Sequence, residues 1–345
     1  MNGLKRGMGW IPDYPDIRDY TKETAEVQEM LAGRAGGVAV ARGAGGVGRP
    51  RGGRASFPAK VDLREWCSTV EDQGMLGSCT ANAGAGVIEY YERRAFGKHV
   101  EASRLFLYKV TRNLMKMKGD TGGFLRTTMG AMVLFGVPPE EYWPYTDSQD
   151  GFDREPPAFC YAFAQNYQAI KYYRHDPPGS KPAEVMERVK GALAAGHPSM
   201  FGFTVYSSIE QAGKTGRIPF PGSRERIEGG HAIVVVGYDD KIKIENKGDG
   251  GTGAGGTKYA GVATSTRGAK GARGAGNEKV VLGTVKAAGA GGAATEGAFL
   301  IRNSWGAGWG ENGYGWLPYE YLTRGLAEDF WSVLKKEWVD TGEFS

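Results

Sequence analysis

Between residues 80 and 91 small side chains (Ala81, Ala83, Gly84, Ala85, Gly86) fall on one face of a helical projection and Val87, Ile88 and Tyr91 on another. That spacing predicts a helix, and the small face predicts close packing, so the segment reads as a central buried helix with Cys79 at its N-terminus. Further helices are predicted over 103–113, 125–135 and 181–195, with a shorter one over 23–31. Behind residue 195 the pattern changes to short runs rich in Val, Ile and aromatic residues, separated by glycines. They lie at 199–205, 232–238, 242–245, 279–285, 298–301, 314–317 and 330–338, and they predict an antiparallel sheet or barrel. A helical lobe followed by a β lobe, an α+β chain, is the expected architecture.

Two stretches, 33–53 and 248–292, are dense in glycine and poor in large apolar residues, which suits a flexible connection better than a packed core. They divide the chain. Residues 1–56 read as an N-terminal extension with a turn-rich start (Pro12-Asp13-Tyr14-Pro15-Asp16) and a glycine-rich linker. Folded sequence resumes at Phe57, giving a domain over 57–345, mainly helical over 57–165 and mainly β over 166–345. A glycine-rich insert over 246–296 interrupts the β lobe, and the runs 242–245 and 279–285 are expected to form the hairpin that carries it. Such an insert can serve as a lid or a partner-binding arm.

At 345 residues the chain can bury a large core, consistent with one two-lobed unit. The net charge of +4 is small for that length, and part of the Lys and Arg lies in the glycine-rich stretches, which hold almost no aromatic residues. A nucleic-acid platform needs basic residues interleaved with aromatics on a rigid surface, so nucleic-acid binding is not expected. No apolar run reaches about 18 residues and the start shows no signal-peptide pattern, which predicts a soluble, cytoplasmic protein with no membrane association. The three cysteines, Cys67, Cys79 and Cys160, cannot all pair. If Cys79 stays free, Cys67 and Cys160 are either a pair or, the reading favoured here, two buried thiols. HExxH, paired CxxC and Walker-type loops are missing from the sequence, so no metal and no cofactor is expected.

The chemistry resides in three separated segments: Gln73-Gly74-Met75-Leu76-Gly77-Ser78-Cys79, then Gly230-His231-Ala232, then Arg302-Asn303-Ser304-Trp305-Gly306. A thiol attacks an acyl carbon as its thiolate, so it needs an imidazole beside it and a group that orients the imidazole. Cys79, His231 and Asn303 supply those types. A cysteine that opens a helix also meets the positive end of the helix dipole, and its own N–H with the Gln73 side-chain amide can donate to a developing oxyanion. A lone cysteine or histidine is usually structural; the joint occurrence raises the reading.

The blocks Gln73-x-x-x-Gly77-Ser78-Cys79, Gly230-His231-Ala232-Ile233-Val234-Val235-Val236-Gly237-Tyr238 and Asn303-Ser304-Trp305-Gly306-x-x-Trp309-Gly310-Glu311-Asn312-Gly313-Tyr314 resemble the signature blocks of the papain-like cysteine peptidases. The resemblance spans 57–345 and implies a papain-like two-lobed fold with the active-site cleft between a helical lobe and a β-barrel-like lobe. It implies that Gln73 is the oxyanion donor, Cys79 the nucleophile, His231 the general acid/base and Asn303 its orienter. It implies too that Trp305 shields the Asn–His hydrogen bond and that Trp305 and Gly230 count among the substrate-side residues. Gly122-Gly123-Phe124 resembles the glycine pair that holds an extended substrate by main-chain hydrogen bonds.

Four features depart from the family. Leu76 replaces a structural cysteine frequent in secreted members, Thr80 replaces the usual aromatic residue, the insert separates His231 from Asn303, and the front extension is too short for the long helical inhibitory pro-segment. The expectation is a monomeric cysteine-type peptidase of prokaryotic type acting on protein or peptide substrates through an acyl-enzyme. A transpeptidase or other acyltransferase using the same site, and an inactive binding scaffold, are the alternatives. A latent form held by residues 1–56 is the runner-up on regulation.

Overall fold

The computed structural model describes residues 6–33, 57–169, 171–247 and 294–334. In chain order the elements are β1 (Trp10–Ile11), α1 (Ala25–Gly33), β2 (Lys60–Asp62), α2 (Cys79–Phe96), α3 (Arg104–Leu114), β3 (Gly123–Phe124), α4 (Leu125–Leu134), α5 (Ala158–Ala164), β4 (Lys171–Arg174), α6 (Pro182–Ala194), β5 (Ser199–Tyr206), β6 (Ile227–Ile244), β7 (Thr295–Arg302), β8 (Tyr314–Pro318), α7 (Glu320–Thr323) and β9 (Ala327–Leu334). Short 3-10 turns connect several of them.

The fold is α+β and has two lobes. Helices α2, α3 and α4 form one lobe, and the seven-stranded antiparallel sheet β4-β9-β5-β6-β7-β8, with β2 on the flank of β6, forms the other. α2 is the axis of the molecule: Cys79 through Glu92 are all buried, because the small residues at 81–86 let neighbours approach its backbone. A Cβ on Gly84 would stand 2.9 Å from Leu107 of α3, and one on Gly86 would stand 2.7 Å from the Arg302 guanidinium. The far side of the sheet has its own aromatic core, in which Phe201 stacks on Phe330 at 4.6 Å and Tyr321 meets Phe203 edge-on.

Predicted helices recur within a few residues, and so do the strands at 199–205, 232–238, 298–301 and 314–317. The run 242–245 is the far end of the long strand β6, not a separate strand, because Lys243 and Ile244 continue the ladder against Glu296 and Thr295. The candidate 279–285, the linker over 34–56 and residues 248–293 of the 246–296 insert lie outside the described residues, while the end assigned to that insert, Thr295 and Glu296, is part of β7. Folded structure does not wait for Phe57. Residues 6–33 lie on the body: Val27 of α1 packs with Tyr173 and Leu334, Thr21 bridges to Arg174, and β1 pairs in parallel with β3. Cys67 and Cys160 are free and buried.

One buried ion pair joins the lobes. Glu89, in the middle of α2 and 0% exposed, accepts Ser68 Oγ–H and the Ala102 N–H, and its Oε2 lies 3.9 Å from Arg302 Nη2 at the end of β7. Arg302 in turn donates to the Ser68 carbonyl at 2.6 Å, to Ser68 Oγ at 3.0 Å and to the Thr69 carbonyl at 3.0 Å. Removing one partner of such a pair leaves the other charge buried and uncompensated. Glu89→Leu is expected to lower stability by about 3–5 kcal/mol in urea unfolding, and Glu89→Leu/Arg302→Met by less than the sum of the single changes.

Candidate active site

Cys79 is the first residue of α2, with Ser78 at the cap position, so its sulfur lies where the first-turn N–H groups have no partner in the helix. The sulfur accepts the Ala232 N–H at 3.3 Å, which places it against β6 one residue beyond His231. His231 is fully buried, and its Nε2 is 2.8 Å from Asn303 Oδ1. That Asn303 oxygen also accepts the Ser304 N–H at 2.8 Å, which identifies it as the carbonyl oxygen. His231 Nε2 therefore carries the proton and Nδ1 presents a lone pair. Nδ1 has no hydrogen-bond partner among the described residues, the state of a base waiting for a proton. Trp305 lies over the imidazole, 4.7 Å between centroids at 21°, and Trp309 meets the Trp305 ring edge-on at 5.7 Å.

Gln73 is equally confined. Its Oε1 accepts Ser304 Oγ–H at 2.5 Å, its N–H donates to the Ser304 carbonyl at 2.9 Å, and one Nε2 hydrogen goes to the Leu76 carbonyl at 2.7 Å. Tyr145 Oη donates to the Gln73 carbonyl at 2.8 Å and shares a hydrogen bond with Ser78 Oγ. Ser304 thus fixes the side-chain amide orientation that the oxyanion role requires, and Tyr145 holds the Gln73 main chain; neither role is among those read from the sequence. Ser304 stands in the third signature block, whereas Tyr145 lies outside all three. Thr80 is buried and its hydroxyl has no hydrogen-bond partner among the described residues, and Leu76 is part of the core.

The cleft holds the chain's own N-terminus. Arg6 makes two contacts with the Asp72 carboxylate at 2.8 and 2.9 Å, and the Gly7 N–H donates to the Gly74 carbonyl at 3.1 Å. The second Nε2 hydrogen of Gln73 donates to the Gly7 carbonyl at 3.0 Å. The Gly9 N–H donates to Cys79 Sγ at 3.3 Å, and the Gly9 carbonyl accepts the Gly123 N–H at 2.7 Å. Gly122 has φ +77° and leaves room for this approach, since a Cβ there would lie 2.2 Å from the Gly9 carbonyl oxygen. Gly230 faces the backbone and ring of Trp10. Gly122, Gly123 and Gly230 therefore line an extended strand, and Trp305 lies behind the imidazole.

Burial sets the charge state. The thiol of Cys79 is pushed up to about 11, mainly by loss of water; the backbone N–H groups of Ala232, Gly9, Thr80 and Cys79 itself pull the other way by less. Burial likewise lowers His231 to about 4, against a smaller upward contribution from Asn303. The covered site therefore holds a neutral thiol and a neutral imidazole. Desolvation is the largest cause of both shifts, and the docked strand contributes to the burial of the sulfur.

Among the described residues Glu89, His99 and Glu101 bring three potential metal-ligand atoms within 4.8 Å. Both Glu89 oxygens already accept hydrogen bonds and His99 already pairs with Glu101 at 2.9 Å, so the group is accounted for without an ion.

Residues 57–265 match the family model for the papain family of cysteine proteases. The chain is 30% identical over 342 residues to an uncharacterized peptidase C1-like protein of Acanthamoeba polyphaga mimivirus, covering 96% of this chain and 87% of that protein. The chain belongs to the papain family of cysteine proteases. Among solved structures it is similar to xylellain, a cysteine protease from Xylella fastidiosa, at 30% identity and a TM-score of 0.64, covering 96% of this chain and 97% of that one. The digestive procathepsin L 3 of Tenebrio molitor shares the fold at 18% identity and a TM-score of 0.52, covering 81% of this chain and 71% of that one. This papain-family chain is a cysteine-type peptidase, a hydrolase. Among its described residues no helix is long and apolar enough to cross a membrane.

The far end of the N-terminal strand carries a titratable anchor. The Asp13 carboxylate accepts the Arg126 N–H at the start of α4 and Trp331 Nε1–H at 3.0 Å, beside Asp329 and the guanidinium groups of Arg126 and Arg174. Burial outweighs those cations and pushes Asp13 up to about 6. Asp13 beside it likewise raises the Asp329 carboxyl, after the effect of burial. Docking therefore takes up protons. It is strongest below about pH 4, the ordinary range of a free Asp, and weakens as pH climbs to about 6, above which docked and free Asp13 are both ionised. Hydrogen-exchange protection of residues 6–13, corrected for intrinsic exchange, is expected to fall by up to about tenfold per pH unit across that window. Asp13→Asn should flatten the profile.

Proposed function

We propose that this peptidase cleaves peptide bonds through a thioester on Cys79 and that its own residues 6–13 hold it latent. The supporting observation is a main-chain carbonyl, that of Gly7, seated on Gln73 Nε2, with Cys79 Sγ in contact with the same strand two residues on. A peptide in this cleft meets an oxyanion donor and a sulfur together.

In the uncovered site the Cys79 proton passes to His231 Nδ1 and the thiolate attacks the substrate carbonyl carbon. The oxyanion is held by the Gln73 amide and the Cys79 N–H. Collapse breaks the C–N bond, and the leaving amine takes the proton from His231 Nδ1. Water then gives a proton to Nδ1 and attacks the thioester, and the second collapse releases the acid and restores the thiolate. Asn303 keeps Nε2 protonated throughout, so that Nδ1 alone exchanges protons. A neutral amide suffices there, because the thiolate and imidazolium already carry the charge.

The docked strand resists this chemistry. It offers Sγ an N–H, that of Gly9, rather than a carbonyl carbon, and the thiol it covers is protonated. Its fit depends on glycine: a Cβ on Gly9 would lie 1.8 Å from the Gly77 carbonyl oxygen. Gly9→Val in the full chain is expected to expel the strand. Iodoacetamide labelling of Cys79, mapped by mass spectrometry, should then accelerate on the order of tenfold or more and persist well below the free-thiol pKa of about 8.5. His231→Ala in that background should return labelling to the free-thiol range. Equal labelling and peptide turnover in wild type and Gly9→Val would refute latency, and labelling that appears only near pH 8.5 would refute the activated thiol. Product analysis with added amine separates hydrolysis from acyl transfer.

A further inference from the structure

The residue after Gly9 shows what the cleft is shaped to recognise. Trp10 is 7% exposed, and its indole lies on two glycines of the sheet: a Cβ on Gly202 of β5 would stand 1.9 Å from the ring, and one on Gly230, next to His231, would stand 3.0 Å from it. Almost any other residue at Gly202 fills the slot. At its end the indole Nε1–H donates to Asp329 Oδ2 at 3.2 Å.

Asp329 is built into this place. It is 1% exposed and holds a left-handed backbone (φ +60°), uncommon for a residue other than glycine. Its Oδ1 receives Arg174 Nη2 at 2.5 Å, so its charge is already matched. Among the described residues its Oδ2 receives only groups of the N-terminal strand, Trp10 Nε1 and the Asp13 N–H at 2.8 Å. When the strand leaves, that oxygen stays in the wall of an emptied slot and loses both donors. A buried acceptor without a partner is costly, so the slot favours an occupant that carries a donor.

We infer that this slot is a substrate-specificity pocket for a flat side chain ending in a neutral N–H, tryptophan above all, with Gly202 and Asp329 as the residues that set the choice. The inference rests on the peptidase reading above. The strand's Gly9 touches the sulfur and Trp10 is its neighbour, so the pocket lies one residue's reach from the reacting atoms. A cationic side chain gains less there, because Arg174 already neutralises Asp329. Phenylalanine fits the slot and leaves the acceptor unpaired.

The test uses the full-length Gly9→Val chain, with two readouts. In a positional-scanning peptide library, one position should favour Trp over Phe and over 1-methyltryptophan by about tenfold or more in kcat/KM, since a site that bonds an N–H rejects analogues lacking it. Asp329→Ala should bring that ratio toward unity, and Gly202→Ala should abolish cleavage of Trp peptides while smaller side chains are retained. Independently of turnover, the peptide Arg-Gly-Met-Gly-Trp-Ile should protect Cys79 from iodoacetamide, and its 1-methyltryptophan analogue should need about tenfold more to do so. Cleavage or protection without discrimination between tryptophan and 1-methyltryptophan overturns the pocket. Discriminating protection with no peptide cleaved overturns the peptidase reading and leaves the pocket standing.

Discussion

The active site spans two lobes, and what holds those lobes in register is the buried contact of Arg302 with Ser68 and Glu89. Cys79 starts α2 in the helical lobe; His231 and Asn303 come from the sheet. Glu89 is on α2 three turns beyond Cys79, and Arg302 immediately precedes Asn303, so one ionic contact sets the helix against the strand that orients the imidazole. A second clasp, Ser304 with Gln73, does the same for the oxyanion donor. Buried ion pairs contribute little net stability compared with an apolar pair of equal size. Here the benefit is alignment: an apolar contact tolerates sliding, whereas a guanidinium bonded to the Ser68 and Thr69 carbonyls does not.

Once aligned, the site still has to be charged to react, and water decides that. With the N-terminal strand in place, desolvation outweighs every donor near the sulfur, and thiol and imidazole are both neutral. The helix N-terminus, which the sequence suggests as the source of a thiolate, is present, yet its N–H groups do not overcome full burial. In the proposed latent form, covering the cleft would act twice, by excluding substrate and by discharging the nucleophile. The acid groups at the far end of the strand run in the same direction, since burial raises Asp13 and both burial and Asp13 raise Asp329.

Much of this was legible in the sequence, and what was not shares a cause. The α2 helix, the α+β division and the residues Gln73, Cys79, His231, Asn303 and Trp305 stand in local patterns: a helical small-residue face, alternating strands, contiguous polar blocks. Gly122 and Gly123 were readable because a glycine pair marks close backbone approach. The N-terminal strand escaped because Arg6-Gly7-Met8-Gly9 has no periodicity and little apolar bulk; its partners are carbonyls and N–H groups, which every sequence has. Asp329 escaped because its meaning comes from Trp10, 319 positions away in the chain. Single long-range polar contacts leave no local signature.

A strand with so little apolar surface would bind poorly as a free peptide, and it does not have to bind as one. Joined to the domain by the intervening chain, it faces an effective concentration in the millimolar range, so an intrinsic affinity of about a millimolar is enough to keep the cleft half filled. Dilution of the protein does not change that balance. Release must come from weakening the contacts, as ionisation of Asp13 does, or from cutting the link between the strand and the body. A segment that a fold can expel must not be too well packed; Gly7 and Gly9, which let the backbone lie flat across the 74–77 turn, also deprive it of the side chains that would make it permanent. Trp10 supplies the exception, one large ring in one fitted slot, and the specificity inferred above rests on that fit.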